Sequence, residues 1–117
     1  LNVGTERIHG GDSFLIFPQG TRCEVFSRKR YSSIGAKLAE RAGCPVVPLA
    51  VDTRCQPMRK KGILKGVFRD FGPVDTSLDI RVCCGPAIPC GKSKEMHEQS
   101  FAWMADKLEV WGLPVER

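Results

Sequence analysis

Two short apolar runs, each bounded by turn residues, constrain this chain more than any other feature. Ser13-Phe14-Leu15-Ile16-Phe17 is stopped by Pro18, and Val46–Val51 follows Cys44-Pro45. Runs this short that stay apolar, without polar alternation, predict strands buried on both faces. Residues 32–42 between them read as a helix. Ser32 or Ser33 caps it, Ile34, Leu38 and Ala42 share a face, and Gly43 ends it. Strand, helix and strand in this order predict an α/β domain, with the two runs as neighbouring central strands.

The rest of the chain fits around that unit. Residues 1–11, rich in glycine and polar groups, read as a loop. Pro45 and Pro48 predict a bend early in the second strand. Asp52 to Lys65 is basic and glycine-punctuated, the pattern of a surface excursion, and Val67-Phe68 with Phe71 suggests a short edge strand. Leu78-Asp79-Ile80-Arg81-Val82 alternates apolar with polar, as a half-buried strand does. Residues 93–111 give the clearest helix, capped by Ser93 and ended by Gly112 and Pro114. Phe101, Met104, Ala105, Leu108 and Trp111 form its core face, while Trp103 and Val110 form a second apolar stripe with no evident partner.

With 117 residues, there is room for one domain. Hydrophobic residues at 42% and charged residues at 26% describe a chain that folds. The net charge of +5 favours anionic partners, with basic runs at Arg28-Lys29-Arg30 and Arg59-Lys60-Lys61. Nucleic acid is not the expected partner: Tyr31 is the only tyrosine, and no stacking or zinc motif accompanies the charge. The six cysteines contain no C-x-x-C pair, and neither His9 nor His97 lies near one, so no metal site is expected. They read as small buried thiols.

The segment best suited to chemistry is Phe17-Pro18-Gln19-Gly20-Thr21-Arg22. An apolar run ends at a proline, a glycine permits a sharp turn, and a hydroxyl and a guanidinium follow. Thr21, Arg22 and nearby backbone amides suit a phosphate, since the planar arginine fork matches phosphate oxygens. Ligands of α/β sheets gather where strands end.

These residues resemble the F-P-E-G-T-R-S block of the glycerol-phosphate and lysophosphatidic acid acyltransferases. Ile34-Gly35-Ala36-Lys37-Leu38-Ala39-Glu40-Arg41-Ala42-Gly43-Cys44-Pro45-Val46-Val47-Pro48-Leu49-Ala50 resembles the helix and V-P-V-V-P strand that follow it in that family. Asp70-Phe71-Gly72-Pro73-Val74 and Val82-Cys83-Cys84-Gly85-Pro86-Ala87-Ile88 resemble its closing strands. The likeness runs from about residue 12 to residue 88, with the blocks in the family's order.

The resemblance implies a partial acyltransferase-like α/β fold, with a mostly parallel central sheet flanked by helices. Residues 1–117 would form the C-terminal portion of a single domain. It implies transfer of a fatty acyl group from acyl-CoA or acyl carrier protein to a glycerol phosphate or lysophospholipid hydroxyl. The setting would be phospholipid biosynthesis at the cytoplasmic face of a membrane, with no further cofactor. Arg22 would bind the acceptor phosphate, with Gly20 and Thr21 shaping the turn and Gln19 standing where the family has glutamate.

The family's general base is a histidine in H-x-x-x-x-D, and that pair does not occur here. Phe14 comes five residues after His9, and Ala102 five after His97. The catalytic pair is expected before Leu1, and this chain alone is expected to be inactive. Cys23 replaces the family's serine, and Ser33-Ile34 replaces a Lys-Gly before the helix. The rival reading is a non-catalytic lipid- or anion-binding regulatory domain of the same fold.

Overall fold

A computed structural model describes residues 2–19, 25–52, 77 and 79–117. The elements are α1 (Asn2–His9), β1 (Phe26–Ser27), a 3-10 turn (Arg28–Arg30), α2 (Ile34–Ala42), β2 (Leu49–Asp52), β3 (Arg81–Cys84), α3 (Ser93–Val110) and β4 (Val115–Glu116). Helices and short strands mix, so the fold is α/β. β1 pairs in parallel with β4, and β2 pairs antiparallel with β3. Among the described residues, therefore, the longer ladder is antiparallel rather than part of a mostly parallel sheet.

Helix α3 is the spine. Near its start Met96 joins Ala36, Ala39 and Ile88 in one core, against which Cys44 and Val46 pack. Further along, Phe101, Met104 and Ala105 join Tyr31 in a second, flanked by Phe26, Trp103 and Val115. Of the face expected from helical spacing, Phe101, Met104, Ala105 and Leu108 are buried, Phe101 and Ala105 wholly so, while Trp111 lies past the helix end and is half-buried. Its end follows the expected chemistry. Gly112 takes a φ of 77°, and Leu113 N–H reaches back to Leu108 O at 2.9 Å.

Helix α2 ends alike, with Gly43 at φ 73° and the amides of Gly43 and Cys44 both donating to Ala39 O. Its buried face is Ala36, Leu38 and Ala39, whereas Ile34 is half exposed. Ser33 makes no side-chain cap; Ser32 Oγ accepts from Ile34 N–H instead, at 3.3 Å.

Three expectations are corrected. The opening loop is helix α1, which buries no residue of its own. It is held by docking on α2: Arg41 Nη1 donates to Asn2 Oδ1 at 3.0 Å, and His9 Nε2 bonds Ala42 O at 3.1 Å. Gly4 leaves room for Leu38, whose Cδ1 would lie 3.0 Å from an added Cβ. Such a helix carries no apolar stripe, so periodicity misses it.

The second correction is Ser13–Phe17, which is neither strand nor buried. It runs outside any ladder, with Phe14, Leu15 and Phe17 exposed and Ile16 half-buried against Gly35. Apolar character alone does not supply a partner strand, and none of the described residues pairs with this run. The other run does form a strand, but later than expected. Val46 makes an isolated bridge to Ile88, Pro48 interrupts, and the ladder resumes at Leu49. Val67, Phe68 and Phe71, read as an edge strand, lie outside the described residues.

The third correction concerns β2, expected to be buried on both faces, and the phase of β3. Ala50, Asp52, Arg81 and Cys83 share the face turned inward, and Val51 and Val82, paired across the ladder, are exposed. Ile80 is exposed too. The alternation was expected to place Ile80 and Val82 inside. An ion pair, described below, lies on the inward face instead.

Trp103 also has the partner it was expected to lack. A Cβ on Gly85 would fall 2.7 Å from Trp103 Cε2 and 2.8 Å from Pro48 Cγ, so the indole lies directly on that backbone. Val110 remains exposed, as expected.

Candidate functional site

The proposed phosphate turn leaves the apolar run at Pro18. Pro18 O accepts from Ser32 N–H at 2.9 Å, which fixes the start of the turn beside the start of α2. Gln19 is half-buried there. Gly20, Thr21 and Arg22 lie outside the described residues, as do Cys23 and the second basic run, Arg59-Lys60-Lys61.

The first basic run is divided in role. Arg28 is committed to the fold. Its Nη1 donates to Glu98 Oε1 at 2.7 Å, its Nε to Arg117 O at 3.2 Å, and its guanidinium lies 4.1 Å from the Phe101 ring centroid. Lys29 is exposed. Tyr31 follows, its hydroxyl 2.9 Å from Ser100 Oγ and its ring packed on Phe26, Phe101 and His97. Burial raises the Tyr31 phenol above its ordinary pKa, partly opposed by the Ser100 hydrogen bond.

His9 is tied to the α2 terminus, and the His97 ring packs against Tyr31 at 4.9 Å. Among the described residues no three His, Cys, Asp or Glu side chains gather as metal donors, and no helix is long and apolar enough to cross a membrane. The four described thiols are less buried than expected: Cys44 and Cys83 are half-buried, and Cys84 and Cys90 are exposed.

Sequence reasoning missed one charged pair. Asp52 is buried at the end of β2 and faces Arg81 across the ladder. The guanidinium also reaches Trp111 O at 3.4 Å and lies 5.2 Å from the Trp111 ring. The available signal was an acid and a base at the ends of two apolar strands. It was outweighed by the basic stretch after Asp52, which reads as surface.

No protein-family profile, curated protein or solved structure matches this chain.

Proposed function

We propose that this chain is the C-terminal portion of an acyltransferase domain, and that it holds the phosphate of the acceptor. The reaction is attack of a glycerol phosphate or lysophospholipid hydroxyl on a fatty acyl thioester of coenzyme A or acyl carrier protein. An ester forms and the thiol leaves. The observation that carries this reading is the join between the two resembling blocks. Pro18 of the first block accepts from Ser32 N–H, two residues before the second block begins at Ile34.

The roles follow from chemistry. Arg22 grips two phosphate oxygens, Thr21 adds a hydroxyl, and Gln19 keeps the hydrogen-bonding ability of the family's glutamate without its charge. A general base must come from an H-x-x-x-x-D pair outside this sequence, because an unassisted hydroxyl is a poor nucleophile. The domain would work at the cytoplasmic face of a membrane, where its lipid substrates lie.

Titration of the isotope-labelled chain with glycerol phosphate, followed by NMR, tests the site. Arg22→Ala is expected to weaken binding by about tenfold to a hundredfold, the worth of a charge-assisted hydrogen bond. Arg22→Lys recovers part, keeping the charge without the fork. Equal affinity in wild type and Arg22→Ala, or equal affinity for glycerol itself, removes the site.

A further inference from the structure

Cys44 and Cys90 flank one isolated β-bridge. Val46 and Ile88 form an antiparallel bridge, Val46 N–H to Ile88 O at 3.0 Å and Ile88 N–H to Val46 O at 2.7 Å. Cys44 and Cys90 each lie two residues outward from that bridge, one on either chain segment.

A second relationship brings the same two residues together. Cys90 Sγ lies 3.7 Å from Ala39 O, and the Cys44 amide donates to that same oxygen at 3.1 Å. The neighbouring junction is tied as well, since Ser93 N–H donates to Glu40 Oε2 at 2.6 Å. The end of α2 and the approach to α3 are thus joined at two points, Ala39 to Cys90 and Glu40 to Ser93. Both thiols are free; Cys90 is exposed, and Cys44 is half-buried at the edge of the core formed by Ala36, Ala39, Ile88 and Met96.

We propose that Cys44 and Cys90 form a reversible oxidative modification site, closed to a disulfide by hydroperoxides. The exposed Cys90 thiol reacts first. Its sulfur takes one peroxide oxygen to become a sulfenic acid, and the other leaves as water or an alcohol. The Cys44 sulfur then attacks the Cys90 sulfur, the S–O bond breaks, and the hydroxyl leaves with the Cys44 proton as water. Two thiols are oxidised, and one peroxide is reduced. The bond staples the exit of α2 to the entry of α3. It is independent of phosphate binding at Gln19–Arg22.

The test is peptide mapping of the reduced chain after treatment with hydrogen peroxide, blocking of remaining thiols and tryptic digestion without reductant. The peptide 42–54 contains Cys44 alone, and the peptide 82–92 contains Cys83, Cys84 and Cys90. A link between them is expected, about 2 Da lighter than the two peptides together. It should vanish in Cys44→Ser and in Cys90→Ser, persist when Cys83 and Cys84 are both serine, and reverse with dithiothreitol. The oxidised chain should melt roughly 10 °C higher than the reduced one. A link that survives Cys90→Ser overturns the pairing, as does its absence from the oxidised chain. An unchanged melting temperature overturns the staple.

Discussion

The Asp52 carboxylate, only 2% exposed, receives two hydrogen bonds from Arg81, from Nε at 3.0 Å and from Nη2 at 2.7 Å. Both land on Oδ2, and the guanidinium side chain remains 36% exposed. The acid is therefore held inside by a base that still touches water. Removing the base leaves a buried charge without this partner, which costs more than the intact pair contributes. Arg81→Ala is expected to destabilise the chain by about 3 kcal/mol, the low end for a buried pair because Arg81 is partly solvated. The double variant Asp52→Asn, Arg81→Met should recover part of that loss. Urea denaturation of the three proteins measures it, and a double variant no better than Arg81→Ala would contradict the account.

Gly85 is expected to be intolerant for a steric reason. An added Cβ would lie within 3 Å of both the Trp103 indole and the Pro48 ring, and neither can swing away from the backbone cheaply. Gly85→Ala should cost about 1–3 kcal/mol, as overpacking does. It should also shift Trp103 fluorescence, because the indole must move. A full-stability variant with an unchanged emission spectrum would show that the contact is loose.

The Glu40 carboxyl is expected to titrate below the usual carboxylate range. Hydrogen bonds from the Ser93 side chain and backbone amide stabilise its charged form, with a smaller contribution from Lys92. A depressed folded pKa stabilises the fold above the unfolded value, and that contribution is lost as pH falls through the folded one. NMR titration of the Glu40 side chain gives the midpoint directly. Ser93→Ala should raise it part of the way and no further, since the backbone donor at 2.6 Å remains. An identical midpoint in wild type and Ser93→Ala would remove the hydroxyl from this cap.

What the sequence showed and what it concealed divide along a physical line. Helix α3 was legible because Phe101, Met104, Ala105 and Leu108 repeat at helical spacing and Gly112 stops them, both local properties. Helix α2 was legible for the same reason at Leu38 and Gly43. The mistakes lie where a partner distant in sequence decides. Asp52 is buried with Arg81 opposite it, and both lie on the inward face of β2 and β3. Helix α1 exists through Asn2, Gly4 and His9 meeting α2, not through a stripe of its own. Phe14, Leu15 and Phe17 are apolar enough for a core strand, yet apolarity specifies burial without specifying a neighbour. Of the candidate site, the Pro18–Gln19 entry is placed beside Ser32, and the three residues that follow it rest on the sequence.

Arg28 separates a structural cation from a ligand-binding one. Its position in Arg28-Lys29-Arg30 marks it as a surface charge, but it spans Glu98, Arg117 O and the Phe101 ring together. The ion pair is exposed on both sides, with side chains 41% and 51% accessible, so the salt bridge alone contributes little. The ring contact adds about 0.5–1 kcal/mol at such a site. Arg28→Ala is therefore expected to lose about 1 kcal/mol, seen as a melting temperature lower by about 4–8 °C. Lys29→Ala, one residue on, should stay within about 0.5 kcal/mol of wild type. Glycerol phosphate affinity should be unchanged in both, because the proposed site uses Gln19 to Arg22. Calorimetric melting and phosphate titration of the two variants separate the roles. If Arg28→Ala melts normally but loses phosphate affinity, Arg28 belongs to the binding site, and its ties to α3 are incidental.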